Sequence, residues 1–151
     1  LFGQPPLVVR SSIDGDRFQL RGLIDRVDQD AQGQLRIIDY KTGGPSSYRD
    51  SALRSGETIQ LPLYALAARD ALRLGDPVSG FYWHVRHAEP SPLRLESFGV
   101  EEAIETAVAH AWEAVRSARG GSFSPRPPGG GCPPYCPATT FCWQYQRRYE
   151  G

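Results

Sequence analysis

The sequence has no methionine and a single lysine, Lys41, against sixteen arginines. Its three cysteines all fall within the last twenty residues. It contains no run of eighteen apolar residues and no basic start followed by an apolar segment. We therefore expect neither a membrane span nor a signal peptide, and we assign the protein to the cytoplasm. The missing methionine and the crowded cysteines indicate a piece of a longer protein.

The charge of the chain is balanced, because seventeen basic residues offset seventeen acidic ones. A zero net charge removes any general electrostatic argument for nucleic-acid binding. The arginine excess is typical of a GC-rich genome, in which Arg codons replace Lys codons. A lysine kept against that bias indicates a position where a compact ammonium serves better than a planar guanidinium. Lys41 is therefore a candidate functional residue.

The pattern of apolar residues predicts strands, then a helix, then strands, then a second helix. This order favours a mixed α/β or α+β sheet flanked by helices over a regular βαβ array. The predicted strands cover residues 7–10, 18–28, 35–41, 78–87 and 93–98, with a turn at 90–92, and the predicted helices cover 58–74 and 101–119. We expect three regions: a core over residues 1–119, a Gly/Pro-rich linker over 120–131 and a cysteine-rich segment over 132–151.

The second and third predicted strands form a hairpin that places three charged residues together. If its loop centres on Gln32, Asp25 lies directly opposite Asp39, and directly opposed residues of an antiparallel pair share a face. Lys41 lies two residues beyond Asp39 and so points to the same face. The other members of this face are apolar: Leu23, Val27, Leu35 and Ile37.

Two opposed carboxylates repel each other, and in a half-buried place one of them would have to take up a proton. A divalent cation removes this conflict, since Mg²⁺ binds through one or two carboxylates together with waters and substrate oxygens. Such a cation also supplies what phosphodiester hydrolysis requires, a polarised phosphoryl group and an activated water. The simpler alternative is a surface hairpin with an ordinary Lys–Asp ion pair, and spacing alone does not choose between the two.

Residues 22–28 (GLIDRVD) followed by residues 37–43 (IIDYKTG) resemble the central motifs of the RecB-like branch of the PD-(D/E)XK nucleases in residue type, order and spacing. The resemblance implies a restriction-endonuclease-like core that cuts DNA, either single strands or duplex ends, during recombination and repair. It also implies a helicase subunit or domain as partner, with the nuclease as one module of a helicase–nuclease. The branch usually carries a His or Glu upstream of the first motif, and residues 1–21 contain neither. We expect that residue, like a further cysteine, to lie upstream of this sequence.

The resemblance assigns a role to each residue of the hairpin. Asp25 and Asp39 would bind Mg²⁺ or Mn²⁺, with the main-chain carbonyl of Tyr40 as a further ligand. Lys41 would be the catalytic lysine, which orients the attacking water, lowers its pKa or offsets charge in the transition state.

Gln60 and Tyr64 are similar to the later Gln-x-x-x-Tyr motif of the same branch. They stand four residues apart and so lie on one face of a helix. Taken alone, such a pair is more often an ordinary polar helix face. With the hairpin match, the resemblance implies a place beside the active site, where they would touch DNA or the surroundings of the metal.

The cysteines Cys132, Cys136 and Cys142 form a tight cluster in a proline-rich segment. A cytosolic protein rarely uses disulfides, so metal ligation is the favoured interpretation, with zinc and unliganded thiols as alternatives. The segment is similar to the C-terminal cysteine triplet of AddB-like and CRISPR-associated RecB-like nucleases. That resemblance implies a [4Fe–4S] cluster completed by an upstream cysteine, although the first two cysteines here are separated by three residues where that branch usually has two.

Two other functions stay open at this point. The first is a catalytically silent DNA-binding scaffold that carries an iron–sulfur or zinc site. An intact set of Asp25, Asp39 and Lys41 speaks against it, because a silent homologue would be free to lose its lone lysine. The second is a glycoside hydrolase that uses two carboxylates. A lysine two residues from one acid, together with the cysteine cluster, disfavours it.

Overall fold

The computed structural model describes residues 2–11, 13–125, 132 and 136–143. The chain divides into two compact units, Leu1–Val115 and Arg116–Gly151. The first unit contains both sheets and the candidate active site. Within the described residues, no helix is both long enough and apolar enough to cross a membrane.

The first sheet is an antiparallel pair formed by β1 (Phe2–Arg10) and β2 (Arg17–Gly22). The second sheet has four strands in the order β3-β4-β5-β6. Its strands are β3 (Arg26–Gln29), β4 (Gln34–Lys41), β5 (Asp76–His84) and β6 (Glu89–Arg94). The β4–β5 pair is parallel and the other two pairs are antiparallel. The predicted fold class, a mixed sheet flanked by helices, is confirmed.

The parallel β4–β5 pair requires a crossover connection, because the end of β4 and the start of β5 lie at opposite ends of the paired strands. The connection contains α1 (Asp50–Arg54) and α2 (Gln60–Leu66), and α2 continues into a π-helical turn, Ala67–Ala71. The start of α2 agrees with the predicted helix over 58–74. Pro62 is tolerated because it occupies the first turn, where its missing N–H costs no helical hydrogen bond.

Two short elements follow β5. The predicted turn at 90–92 is wrong, since Pro90 and Pro92 lie within β6. β6 is the edge strand of its sheet, where proline removes no ladder bond from a neighbour. The strand predicted over 93–98 is half wrong, because β6 ends at Arg94 and α3 (Leu95–Phe98) begins. The long helix α4 (Val100–Arg119) agrees with the predicted helix over 101–119.

The interpretation of residues 18–28 as one long strand is also wrong. β2 ends at Gly22 and β3 begins at Arg26, and the two strands belong to different sheets. Leu23 lies in the break and is 61% exposed, so it is not part of the core face as predicted. The apolar alternation changes phase at the break, because Phe18 and Leu20 occupy even positions whereas Leu23 and Val27 occupy odd ones. This change of phase does not reveal which neighbour each strand pairs with.

The core is formed by buried residues of both sheets and of the helices. Leu35 and Ile37 point into it from β4 and are fully buried. Their alternation with the exposed Arg36 shows the period of two expected for a strand with one covered face. From α4 the buried residues Ile104, Ala111 and Trp112 complete it, at the helical spacing predicted for them.

Candidate active site

The hairpin register brings Asp25 opposite Asp39. In β3 and β4 the paired residues are Arg26 with Ile38 and Val27 with Ile37, and the same register extends one step to the two aspartates. Asp25 itself precedes β3, in a bend. Its Oδ2 accepts a hydrogen bond from the Tyr40 backbone N–H at 2.9 Å. The Asp25 carboxylate thus binds the backbone of β4 just before β3 begins, and this hydrogen bond holds Asp25 beside Asp39.

Asp39 lies on the core face of β4, two residues beyond Ile37, and is 2% exposed. Burial raises the pKa of its carboxyl group, because the ionised form loses hydration. The Lys41 ammonium opposes this effect, and the charge of Asp25 adds to it. Asp39 Oδ2 lies 2.6 Å from Lys41 Nζ but makes no well-directed hydrogen bond, so we describe the contact as an ion pair.

Lys41 connects the hairpin to α2. Its Nζ donates a hydrogen bond to Gln60 Oε1 at 2.7 Å, and Gln60 Nε2 donates to Tyr64 Oη at 2.5 Å. The order of donors orients the Gln60 amide, since an ammonium has no acceptor. Gln60 and Tyr64 therefore lie on a helix face that is directed at the hairpin, and a continuous chain of polar contacts runs from Asp39 to Tyr64.

Two tyrosines that sequence reasoning did not single out surround the ammonium. Lys41 Nζ lies 5.4 Å from the ring centroid of Tyr82 and 6.0 Å from that of Tyr48. Both distances are within the range of cation–π attraction. Tyr82 is fully buried in β5, which raises the pKa of its phenol, and its hydroxyl accepts a hydrogen bond from Leu61 N–H at 3.1 Å. The aromatic run of β5 was the available signal, but only the pairing of β5 with β4 brings Tyr82 beside Asp39.

The loop after Lys41 is tied back to β5. His84 pairs with Lys41 across the parallel strands and is fully buried. Its Nδ1 lies 2.7 Å from the carbonyl oxygen of Gly43, where it donates a hydrogen bond. Val85 N–H donates to Lys41 O at 3.0 Å. These two contacts fix the backbone on both sides of Thr42, immediately beyond the candidate catalytic lysine.

The donor set at the hairpin suits the divalent cation that the resemblance implies. Asp25, Asp39 and the main-chain carbonyl of Tyr40 offer hard oxygen atoms, which Mg²⁺ prefers. The raised pKa of Asp39 and the adjacent charge of Asp25 describe a carboxylate pair that a cation would stabilise. Asp25 is exposed, so solvent and substrate can reach the pair.

The cysteines, in contrast to the hairpin residues, are not arranged as a metal site. Cys132 is buried, Cys136 and Cys142 are half-buried, and all three are free thiols. In the part of the chain that the structure describes, no three or more His, Cys, Asp or Glu side chains are grouped so that they could hold a metal ion. The described residues therefore give no structural support for a metal cluster at this segment.

Residues 2–143 match the PD-(D/E)XK nuclease superfamily, and the chain therefore belongs to it. The resemblance found in the hairpin motifs is thereby confirmed, and the sheet with its helices is the restriction-endonuclease-like α+β core of that superfamily. No solved structure shows a significant match to the chain.

Curated relatives point to the RecB-like branch. The chain is 35% identical over 91 residues to an ATP-dependent helicase/deoxyribonuclease subunit of Moorella thermoacetica, covering 55% of this chain and 8% of that protein. It is 35% identical over 104 residues to the corresponding protein of Lachnoclostridium phytofermentans, covering 62% and 9%. The gene 69 protein of Mycobacterium phage D29 is 27% identical over 141 residues, covering 93% and 48%. The chain thus spans about half of the phage protein and less than a tenth of the two helicase/deoxyribonuclease proteins.

Proposed function

We propose that this chain is the nuclease module of a metal-dependent enzyme that hydrolyses the phosphodiester backbone of DNA. The observation that most directly supports this proposal is the contact of Lys41 with both Asp39 and Gln60, in a member of the PD-(D/E)XK superfamily. We further propose that it acts as an exonuclease on single strands or duplex ends in recombination and repair. The names of the helicase/deoxyribonuclease relatives support a helicase partner.

The residues divide the work of hydrolysis as follows. Asp25, Asp39 and the carbonyl of Tyr40 would hold Mg²⁺ or Mn²⁺, which supplies a polarised phosphoryl group and an activated water when bound. Lys41 donates a proton of its ammonium toward the water or the developing negative charge. Gln60 holds that ammonium from the other side, so that Lys41 does not have to reorganise during the reaction.

The proposal is tested by incubating the complete protein with linear single-stranded, linear duplex and circular DNA. We expect degradation of the linear substrates with Mg²⁺ or Mn²⁺ and none with EDTA. Survival of the circles would assign exonuclease activity, and their loss would assign cutting within strands. DNA binding without cleavage under every metal condition would contradict the proposal and favour the silent scaffold.

Gln60 and Tyr64 are expected to act through Lys41. Gln60→Ala removes the acceptor that holds the ammonium, and Tyr64→Phe removes the acceptor of the Gln60 amide. Each change should lower kcat by about 10- to 100-fold, the range found when residues that support a metal site are removed. Kinetics and thermal unfolding would be measured side by side, with Gln19→Ala, an exposed change on β2, as the control. A loss of activity that only follows a loss of stability would contradict this role.

We also propose, from the sequence resemblance, that Cys132, Cys136 and Cys142 contribute to a [4Fe–4S] cluster in the complete protein. The expected result is iron and sulfide in stoichiometric amounts in protein purified without oxygen, lost in a Cys136→Ser variant. Zinc without iron would replace the cluster with a zinc site. The absence of both metals would leave three free thiols and overturn the proposal.

A further inference from the structure

A cavity of about 560 Å³ opens beside the candidate active site. Its volume lies within the range of ligand pockets, roughly 300–1,000 Å³. Residues from the crossover connection and from β5 form its walls: Ser47, Tyr48, Glu57, Thr58, Ile59, Gln60, Leu63 and Tyr82. None of the functions assigned to the hairpin uses this space.

The cavity shares two of its walls with the active site. Gln60 lines it and also accepts the hydrogen bond of Lys41. Tyr82 lines it and also lies under the Lys41 ammonium. A DNA strand whose phosphate reached Asp39 and Lys41 would therefore carry an adjacent nucleotide to the mouth of this cavity.

The walls combine an aromatic ring with hydrogen-bond acceptors. Tyr48 is half-buried and packs against Tyr82 at 4.4 Å between ring centroids, so the Tyr48 ring is held in place for stacking. Glu57 presents a carboxylate, and Thr58 Oγ1 is buried without a hydrogen-bond partner among the described residues. The backbone of both is held in place, because Glu57 N–H and Thr58 N–H each donate to Ala52 O, at 2.8 and 3.2 Å.

The charge of the walls decides what the cavity can hold. Among the described residues no lysine or arginine lines the cavity, and the Glu57 carboxylate repels a phosphate. A neutral planar group with N–H donors fits instead, since it can stack on Tyr48 and donate to Glu57 and Thr58. Nucleobases have this chemistry, and proteins that hold single strands bind them by stacking on aromatic side chains.

We propose that the cavity receives one unstacked base of the DNA strand, next to the phosphodiester bond that is cut. The inference rests on the proposed function. The cavity favours bases with an exocyclic amino group over thymine, because the Glu57 carboxylate only accepts hydrogen bonds, as Glu does from the amino group of cytosine. Thymine has a carbonyl oxygen where cytosine has its amino group, and that oxygen cannot donate to the Glu57 carboxylate.

The experiment measures cleavage of single-stranded oligonucleotides in which one position at a time, on either side of the cut, carries an abasic site, dT or dC. At one position the abasic site should lower kcat/KM by about tenfold, the loss of one stacked base. At that same position dC should be cut several-fold faster than dT. Equal rates for all substitutions at every position would overturn the inference while leaving the proposed function intact. The absence of any cleavage would overturn the proposed function and this inference with it.

Two conservative variants separate recognition from folding. Thr58→Val replaces an unpartnered hydroxyl by a methyl group of the same shape, so stability should be unchanged or higher. Its kcat/KM should nevertheless fall for dC and dT alike, because the lost hydroxyl can accept from one base or donate to the other. Glu57→Gln should relax the preference for dC over dT, because an amide can donate to a thymine carbonyl as well as accept. Glu105→Gln, on an exposed part of α4, is the matched control. Unchanged kcat/KM in Thr58→Val together with unchanged base preference in Glu57→Gln would overturn the assignment.

Discussion

Lys41→Ala is expected to lower kcat for DNA cleavage by roughly 10²–10³-fold, the usual cost of removing one preorganised donor from a developing negative charge. The reason lies in how the ammonium is held: Asp39 Oδ2 is 2.6 Å away on one side and Gln60 Oε1 is 2.7 Å away on the other. Both partners of the ammonium are in place before the substrate arrives, Asp39 as an ion pair and Gln60 as a hydrogen-bond acceptor. The measurement is single-turnover cleavage at saturating Mg²⁺ and DNA, together with DNA affinity in EDTA.

Lys41→Arg should lower kcat for DNA cleavage nearly as much as Lys41→Ala does. A guanidinium keeps the charge but is larger and planar, and it does not fit the space of an ammonium bounded by two acceptors and two tyrosine rings. Arg36→Ala is the matched control, because it removes a cation from the same strand at an exposed position. Full activity of Lys41→Arg would show that only charge matters at this position. Full activity of Lys41→Ala would remove Lys41 from the mechanism.

Asp39→Asn is expected to abolish cleavage and, without metal, to stabilise the protein. The loss of cleavage should be roughly 10³-fold or more, because a bound cation contributes several kcal/mol to phosphoryl transfer. The gain in stability, on the order of 1 kcal/mol at neutral pH, follows from removing a buried carboxylate whose ionised form the fold disfavours. Thermal unfolding in EDTA would detect it.

The pH dependence of that gain has a defined sign. The folded protein raises the pKa of Asp39. The contribution of the protonated carboxyl group to the free energy of unfolding is therefore fully present below the unfolded pKa, about 4, and is lost as the pH rises through the folded pKa. The wild-type protein and Asp39→Asn should therefore have similar stability in acid and diverge as the pH rises. Mg²⁺ should raise the unfolding temperature of the wild type and not that of the variant.

Asp28→Asn is the control for this prediction. Asp28 lies on β3 and pairs with Arg26 at 2.7 Å, a hydrogen-bonded contact that lowers the pKa of its carboxyl. The same substitution there should keep cleavage intact and bring no gain in stability at neutral pH. A stabilising Asp28→Asn, or a destabilising Asp39→Asn in EDTA, would contradict the electrostatic account of the site.

The hairpin is the part of this site that its amino acids specify locally. The loop between β3 and β4, residues 30–33, has Gly33 at a φ of +81° and leaves one register for the strands it joins, and that register sets Asp25 opposite Asp39. Lys41 follows on the same face because side chains alternate along a strand. The spacing of Gln60 and Tyr64 likewise needed only the period of a helix. These relations involve near neighbours in the chain, so their geometry follows from local backbone rules.

Tertiary structure decided the rest, because it depends on which distant segments pack together. The break between β2 and β3 arises where the chain leaves one sheet for another, and the apolar pattern around Leu23 does not say which sheet each strand joins. The parallel pairing of β5 with β4 brings Tyr82 beside Asp39 from 43 residues along the chain. Packing of the crossover connection then turns Gln60 toward Lys41 and leaves a cavity beside it. Local sequence thus determined the charged residues of the site, whereas long-range pairing determined their aromatic surroundings and the space beside them.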